Sequence, residues 1–281
     1  MASMRDIKNR IENVSSTEQL IKAMDTIAST KLHKARLQLN GVRPMYNGLK
    51  EQVEEIGERE DALNHAFYEE REVKNSLYVV MTSNQGYVGS YNSAVLNAAL
   101  EHMDDGREEK ILSIGTKALS YFRKREKNIV RKITDVADSH VYYGSQEIAQ
   151  WITNQYLTEE VDEVYIVYSK FVNVLTHEPK VEKILPIKSN FTYLGYESDR
   201  EYEPSISSVI DHLVPLYLHM NIFRAFSEAH TSEQSARMVN MDSAGKNASE
   251  LIRELTLSYN RQRQGAITQE LSEIVGGTNF D

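Results

Sequence analysis

No proline follows Pro215, and the chain from there to Val275 reads as helix. A continuous helix over that span would reach about 90 Å at 1.5 Å per residue. Ala248, Leu251, Ile252, Leu255, Tyr259, Ala266, Ile267, Leu271 and Ile274 keep one apolar stripe along it. A helix of this kind is not stable alone in water and must bury its stripe on something. The N-terminal segment offers the matching surface. Ile7, Ile11, Val14, Ile21, Ala28, Leu32, Ala35, Leu39 and Val42 follow alternating steps of four and three, the seam of a coiled coil. Charge breaks that seam at Glu18 and Asp25, and Leu20, Met24 and Ile27 form a second stripe beside it. The spacing predicts an antiparallel two-helix coil built from the two ends of the chain. Gly41 and Arg43-Pro44 are the first kink or stop signals in the N-terminal helix, and Pro215 predicts a kink or restart. Gly245 and Gly265 each cost about 1 kcal/mol relative to alanine in a helix interior.

Between these ends the pattern changes. SLYVVMTS (76–83) and KILSIG (110–115) read as short β runs, each followed by a helical stretch, at 91–103 and 116–126. Residues 144–157 read as an amphipathic helix. The strand-like 161–173 is followed by a turn at Thr176–Pro179 and by 181–187 as its antiparallel partner. Strands alternating with helices predict a small, mainly parallel α/β sheet with an antiparallel edge. The expected organisation is a coiled-coil shaft of 1–60 and 205–281, an α/β domain of 75–190, and connections at 61–74 and 191–204.

Composition narrows the function. The 281 residues carry a net charge of -9 and no cysteine, which excludes a disulfide framework, thiolate metal sites and a cysteine nucleophile. No run approaches the roughly 18 apolar residues of a membrane span, and MASMRDIKNRIENV lacks a signal-peptide core. The acidic balance disfavours a nucleic-acid binder. Charge is uneven, however: Arg5, Lys8, Arg10, Lys22, Lys31, Lys34 and Arg36 make the N-terminal end basic, which suits an acidic partner.

Signatures of catalysis are missing. There is no G-x-x-x-x-G-K-[ST] phosphate cradle, and TSNQGYVGS (82–90) lacks G-x-G-x-x-G spacing, so it reads as a structural turn. The eight histidines form no i, i+4 pair, and no serine sits in G-x-S-x-G. No metal or cofactor is expected.

The run SEQSARMVNMDSAGKNASELIRELTLSYNRQRQGAITQELSEIVGG (232–277) closely resembles the signature of the F-type ATP synthase gamma subunit. MASMRDIKNRI, LIKAM (20–24), KLHKA (31–35), Arg43-Pro44 and the VPLYL run around Pro215 resemble the same family, so the likeness covers the whole chain. It implies a rotor: a coiled coil turning inside the alternating alpha and beta subunits, with a Rossmann-like α/β domain seated on the membrane ring of c subunits beside epsilon. It also implies site roles. Arg263, Gln264 and Thr268 match the motif that hydrogen-bonds the acidic catch loop of a beta subunit. Lys22 and Met24 match the segment facing the beta C-terminal region, and Tyr202 and Glu203 match the segment near the c ring and epsilon. The implied location is peripheral, on the cytoplasmic face of a bacterial membrane.

Some positions depart from the family. Asn84-Gln85 stand where an acid and a base are usual, Ser15, Ser16 and Glu18-Gln19 replace common lysines, and Gly245-Lys246 and Gly265 replace better helix formers. These departures fit a second-copy ATPase as an alternative to the housekeeping one. An enzyme using the α/β domain as a nucleotide site lacks a phosphate motif, and a generic coiled-coil adaptor leaves the 232–277 likeness unexplained.

Overall fold

The computed structural model describes residues 4–103, 107–134, 141–188 and 202–277. Its elements run α1 (Met4–Gly57), α2 (Glu60–Leu63), β1 (Asn75–Met81), α3 (Tyr91–His102), β2 (Glu108–Ile114), α4 (Thr116–Arg123), β3 (Asn128–Ile133), α5 (Val141–Leu157), β4 (Glu163–Phe171), β5 (His177–Leu185) and α6 (Ile206–Gly277). By contacts the chain divides into two units, one holding the first thirty residues with those from Arg237 onward, the other spanning Lys31–Ala236. Residues 189–201, which include most of the expected second connection, lie outside the described residues.

The first unit is a pair of antiparallel helices. Glu18 of α1 meets Ser249 of α6, and Ile21 lies by Gly245, so the two directions oppose. Ile7 and Ala28 are buried in the seam, with Ile11, Val14 and Ile21 half-buried. Met241 and Ala248 are buried on α6, and Leu251, Ile252, Leu255, Tyr259 and Ala266 are half-buried. Both helices therefore turn their predicted stripes inward as far as Ala266. Ile267 and Leu271 instead remain exposed, and the side chain of Ile274 lies outside those described.

The second unit is built on a five-stranded sheet of order β3-β2-β1-β4-β5. β1 runs parallel to β2 and β4, β2 parallel to β3, and β4 antiparallel to β5. Successive side chains on a strand point to opposite faces. Leu77, Val79 and Met81 of β1 accordingly join a core with α1, α5 and α6, while Tyr78 and Val80 join a second core with α3 and α4. At the amino ends of the strands Glu163 is buried and takes hydrogen bonds from Ser76 Oγ (2.7 Å), Tyr165 Oη (2.9 Å) and Arg107 (3.0 Å), with Lys183 at 3.0 Å.

Three expectations are corrected. Gly41 and Pro44 do not stop α1, because Val42, Tyr46, Val53 and Ile56 carry a buried face past them, and the carbonyl freed by Pro44 belongs to exposed Asn40. Pro215 likewise does not restart the helix, since α6 runs unbroken from Ile206 to Gly277; its freed carbonyl is that of exposed Asp211. The turn before β5 closes at Asn173–Thr176, and Pro179 sits within β5 opposite Ser169, which an edge strand tolerates. Strand β3 carried no sequence expectation. Its alternation is broken by a register shift after Ile129, and Arg131 and Lys132 dilute the apolar signal.

Candidate partner-binding surfaces

In a sheet of this topology ligands bind outside the carboxyl ends of the strands, where the winding reverses. Here β2 and β3 lie to one side of β1 and β4 to the other, so the reversal falls between β1 and β4. That crevice is occupied by α6. Tyr91 Oη donates to Ala229 O (3.1 Å), Ser232 Oγ to Ser169 O (3.1 Å) and Ser235 Oγ to Val174 O (2.6 Å). Val88, Tyr91 and Ala236 close it as a small apolar cluster.

The glycine-containing loop beside it is spent on internal bonds. Asn84 Oδ1 accepts from Thr116 N (3.0 Å) and Thr82 Oγ1 from Ala118 N (2.9 Å), satisfying the α4 N-terminus that an anion would use. Ser83 N and Oγ both reach Asn92 Oδ1, at 3.0 and 3.1 Å. Gly115 has φ of +89°, and a Cβ there would stand 2.2 Å from Thr82 O.

Deeper in the same unit lies a charged cluster that sequence reasoning missed. Arg224 of α6 is 6% exposed, and its guanidinium stacks over Tyr46 (4.3 Å) and Tyr168 (5.2 Å). It donates to Tyr168 Oη (2.6 Å), Glu182 Oε2 (2.9 Å) and Asn221 Oδ1 (2.6 Å). Glu228, one turn on and 3% exposed, takes Phe171 N (3.0 Å) and Arg43 (3.2 Å). Burial disfavours charge on Arg224, but Tyr168 and Glu182 outweigh it and raise its pKa. Burial pushes Glu182 up, yet Arg224 and Lys180 leave it below the usual carboxylate range. These contacts bind α6 to α1 and to the β4–β5 edge. The available signal was Arg224 inside the mostly apolar run HMNIFRAF, with Glu228 four residues on, just past its end.

The residues implied by resemblance fall in three places. Arg263, Gln264 and Thr268 are exposed on α6 of the first unit, and Thr268 Oγ1 donates to Gln264 O (2.9 Å). Gln264 and Thr268 share a face, with Arg263 about 100° round the helix. The side chains of Arg263 and Gln264 make no hydrogen bond or ion pair among the described residues. Lys22 is exposed and pairs with Glu18 (2.9 Å), while Met24 is half-buried. Hydrogen bonds from Ser249 and Lys22 hold Glu18 below the usual carboxylate range, so the seam break is satisfied. Tyr202 packs on the main core of the second unit under Arg59 (5.6 Å), and Glu203 edges a groove of about 450 Å³ lined by Pro204, Val209, Leu213 and Leu216. Arg263, Gln264, Thr268, Lys22 and Met24 thus belong to the first unit, and Tyr202 and Glu203 to the second.

Two long terminal helices with an inserted mixed α/β domain, its ligand crevice filled by its own helix, define a helical stalk protein. The family model described as ATP synthase matches residues 3–279. The ATP synthase gamma chain of Desulforamulus reducens is 40% identical over 278 residues, covering 99% of this chain and 98% of that one. That of Alkaliphilus metalliredigens is 39% identical over 280 residues, covering 98% and 97%. A chain of the Euglena gracilis mitochondrial ATP synthase (OSCP/F1/c-ring, rotational state 3) superposes with a TM-score of 0.69 at 20% identity, covering 98% of this chain and 93% of that one. The chain belongs to the ATP synthase gamma-chain family, and its function is that of the central stalk of an F-type ATP synthase. It is thus a subunit of a membrane-associated complex, and among the described residues no helix is long and apolar enough to cross a membrane.

Proposed function

We propose that this chain is a non-catalytic rotor, coupling rotation of a membrane c ring to ATP synthesis and hydrolysis at an alpha/beta hexamer. The observation that carries the reading is the filled crevice. Where an α/β domain would hold a nucleotide, Ser232 and Ser235 of α6 are hydrogen-bonded to β4 and the turn after it, and Ala229 O accepts from Tyr91 of α3. The same helix is tied to β4 and β5 through Arg224 and Glu228, so a load on α6 passes directly into the sheet.

In this reading Arg263, Gln264 and Thr268 offer donors to an acidic loop of a beta subunit, and Lys22 with Met24 faces the beta C-terminal region. The exposure and free donors of Arg263 and Gln264 support that role. Tyr202 and Glu203 meet the c ring and epsilon, supported by the apolar groove beside Glu203. The chain then sits peripherally, on the cytoplasmic face of a bacterial membrane, held there by its partners. The 1–60 and 205–281 segments form the shaft, with 75–190 as the inserted domain.

Co-expression with alpha and beta subunits tests the rotor role. A complex whose ATPase activity depends on this chain is expected; full activity in its absence, or failure to bind, would sink the proposal. ATP hydrolysis by the purified chain alone would remove the non-catalytic assignment.

A further inference from the structure

Residues 117–132 carry seven Lys or Arg against one acid, Glu126, a local charge of +6 in a chain of net -9. They form α4, the turn after it and β3, which is an edge of the sheet. Among the described residues no strand pairs with the outer side of β3, so its outward N–H and C=O groups are open to an added strand. A groove of about 510 Å³ runs along this edge between α4 and β3. Its apolar lining is Leu119, Ile129 and Val130, and its charged lining includes Arg123 and Lys132. Val130 is 41% exposed, because the register shift after Ile129 leaves it without a partner on β2. Several local cations are already engaged: Lys127 pairs with Glu109 (3.0 Å), Arg125 lies over Tyr121 and Arg131 over Trp151. Arg123, Lys124 and Lys132 make no ion pair among the described residues.

We propose that this edge is a docking site for an extended acidic segment of a partner protein, which adds to β3 as a sixth strand. Main-chain hydrogen bonds supply affinity in such pairing, and alternate side chains supply specificity. An incoming strand with acids at alternate positions turns them into the groove against Arg123 and Lys132, and its intervening apolar residues face the other side of the sheet. The same positive charge repels a second copy of β3, so the edge is protected from self-association while open to an acidic strand. An anionic membrane surface would satisfy the charges but not the row of open backbone groups, which favours a polypeptide. The proposal rests on the sheet edge alone and stands apart from the rotor reading.

The test uses the full chain and two blocked octapeptides, one alternating Glu with Val and the other Lys with Val. Amide hydrogen exchange across Asn128–Ile133 is expected to slow with the Glu peptide and not with the Lys peptide. Reversing two charges, Arg123→Glu with Lys132→Glu, should weaken the Glu peptide by about tenfold. Both positions are exposed, so the thermal midpoint should hold; if the double reversal lowers it, Arg123→Gln with Lys132→Gln serves instead, with weakening in the same direction. Absence of protection with the Glu peptide, equal protection with the Lys peptide, or undiminished affinity in the folded variant overturns the proposal. So does binding to vesicles of phosphatidylcholine and phosphatidylglycerol with no peptide protection of β3, which would assign the charge to a membrane.

Discussion

Arg224 is the residue on which the second unit most depends for specific geometry. Removing one partner of a buried ionic cluster strands the others, so Arg224→Ala should cost about 3–5 kcal/mol by leaving Glu182 and Glu228 uncompensated. Arg224→Lys keeps the charge but loses the fork and the stacking on Tyr46 and Tyr168, and should remain clearly below wild type in a urea melt. Wild-type stability for both variants would refute the cluster's role. At Gly115 a side chain meets the Thr82 carbonyl and a backbone at φ +89°, so Gly115→Ala should be destabilising by about 1–3 kcal/mol or more. Gly245 and Gly265 are the opposite case. A Cβ at Gly245 makes ordinary contact with Ile21 at 3.6 Å, and one at Gly265 meets open space. Each replaced by alanine should stabilise by about 0.5–1 kcal/mol, read as a higher thermal midpoint. Neither glycine is therefore required by a close approach of helices.

Among the elements, α6 does two different things along its length. Through residues 210–236 it is largely buried, with Ser232, Ser235 and Glu228 bonding to the sheet and the β4–β5 turn. From Arg237 onward it carries one half-buried stripe against α1 and is otherwise exposed. Arg263→Ala with Gln264→Ala touches only that exposed part. In the assembled complex it should reduce ATP turnover while leaving the circular dichroism and thermal midpoint of the chain unchanged, and unaltered turnover would remove the catch-loop role. The seam from Ile7 to Val42 was legible because a coiled-coil interface needs only period and polarity, and both are local. Strand β3 was not, since a bulge and two adjacent cations hide the alternation of an edge strand, and the stacking of Arg131 on Trp151 shows only in the folded chain. The residues proposed to face partners came from resemblance; nothing in the spacing of Arg263, Gln264 and Thr268 would have singled them out.

For the molecule as a whole, stability should depend on pH in two steps. Burial holds His177 and His219 below the ordinary histidine pKa, the latter partly offset by the Tyr142 carbonyl at 3.2 Å. The unfolded chain then takes up those protons first, so stability is lost as pH falls below about 6.5. Burial would raise Glu163 and Glu182, but Ser76 and Lys183 at the first, and Arg224 at the second, depress both. Their contribution is present above about pH 4.3 and lost as pH falls through their lower folded values. Urea midpoints from pH 8 to 3 should therefore decline twice, and His219→Gln should shallow the first decline. A flat profile between pH 7 and 5 would contradict the histidine assignment. The sequence by itself determined the two terminal helices, their antiparallel pairing and the inserted mixed sheet, because periodicity, turn residues and chain order are local properties. Tertiary structure alone decided that α1 and α6 run through their prolines, that α6 fills the crevice of its own α/β domain, and that Arg224, Glu182 and Glu228 share one buried cluster. Each of those depends on which groups meet across more than forty residues of chain, and burial and hydrogen bonding at such meetings outweigh the local signals.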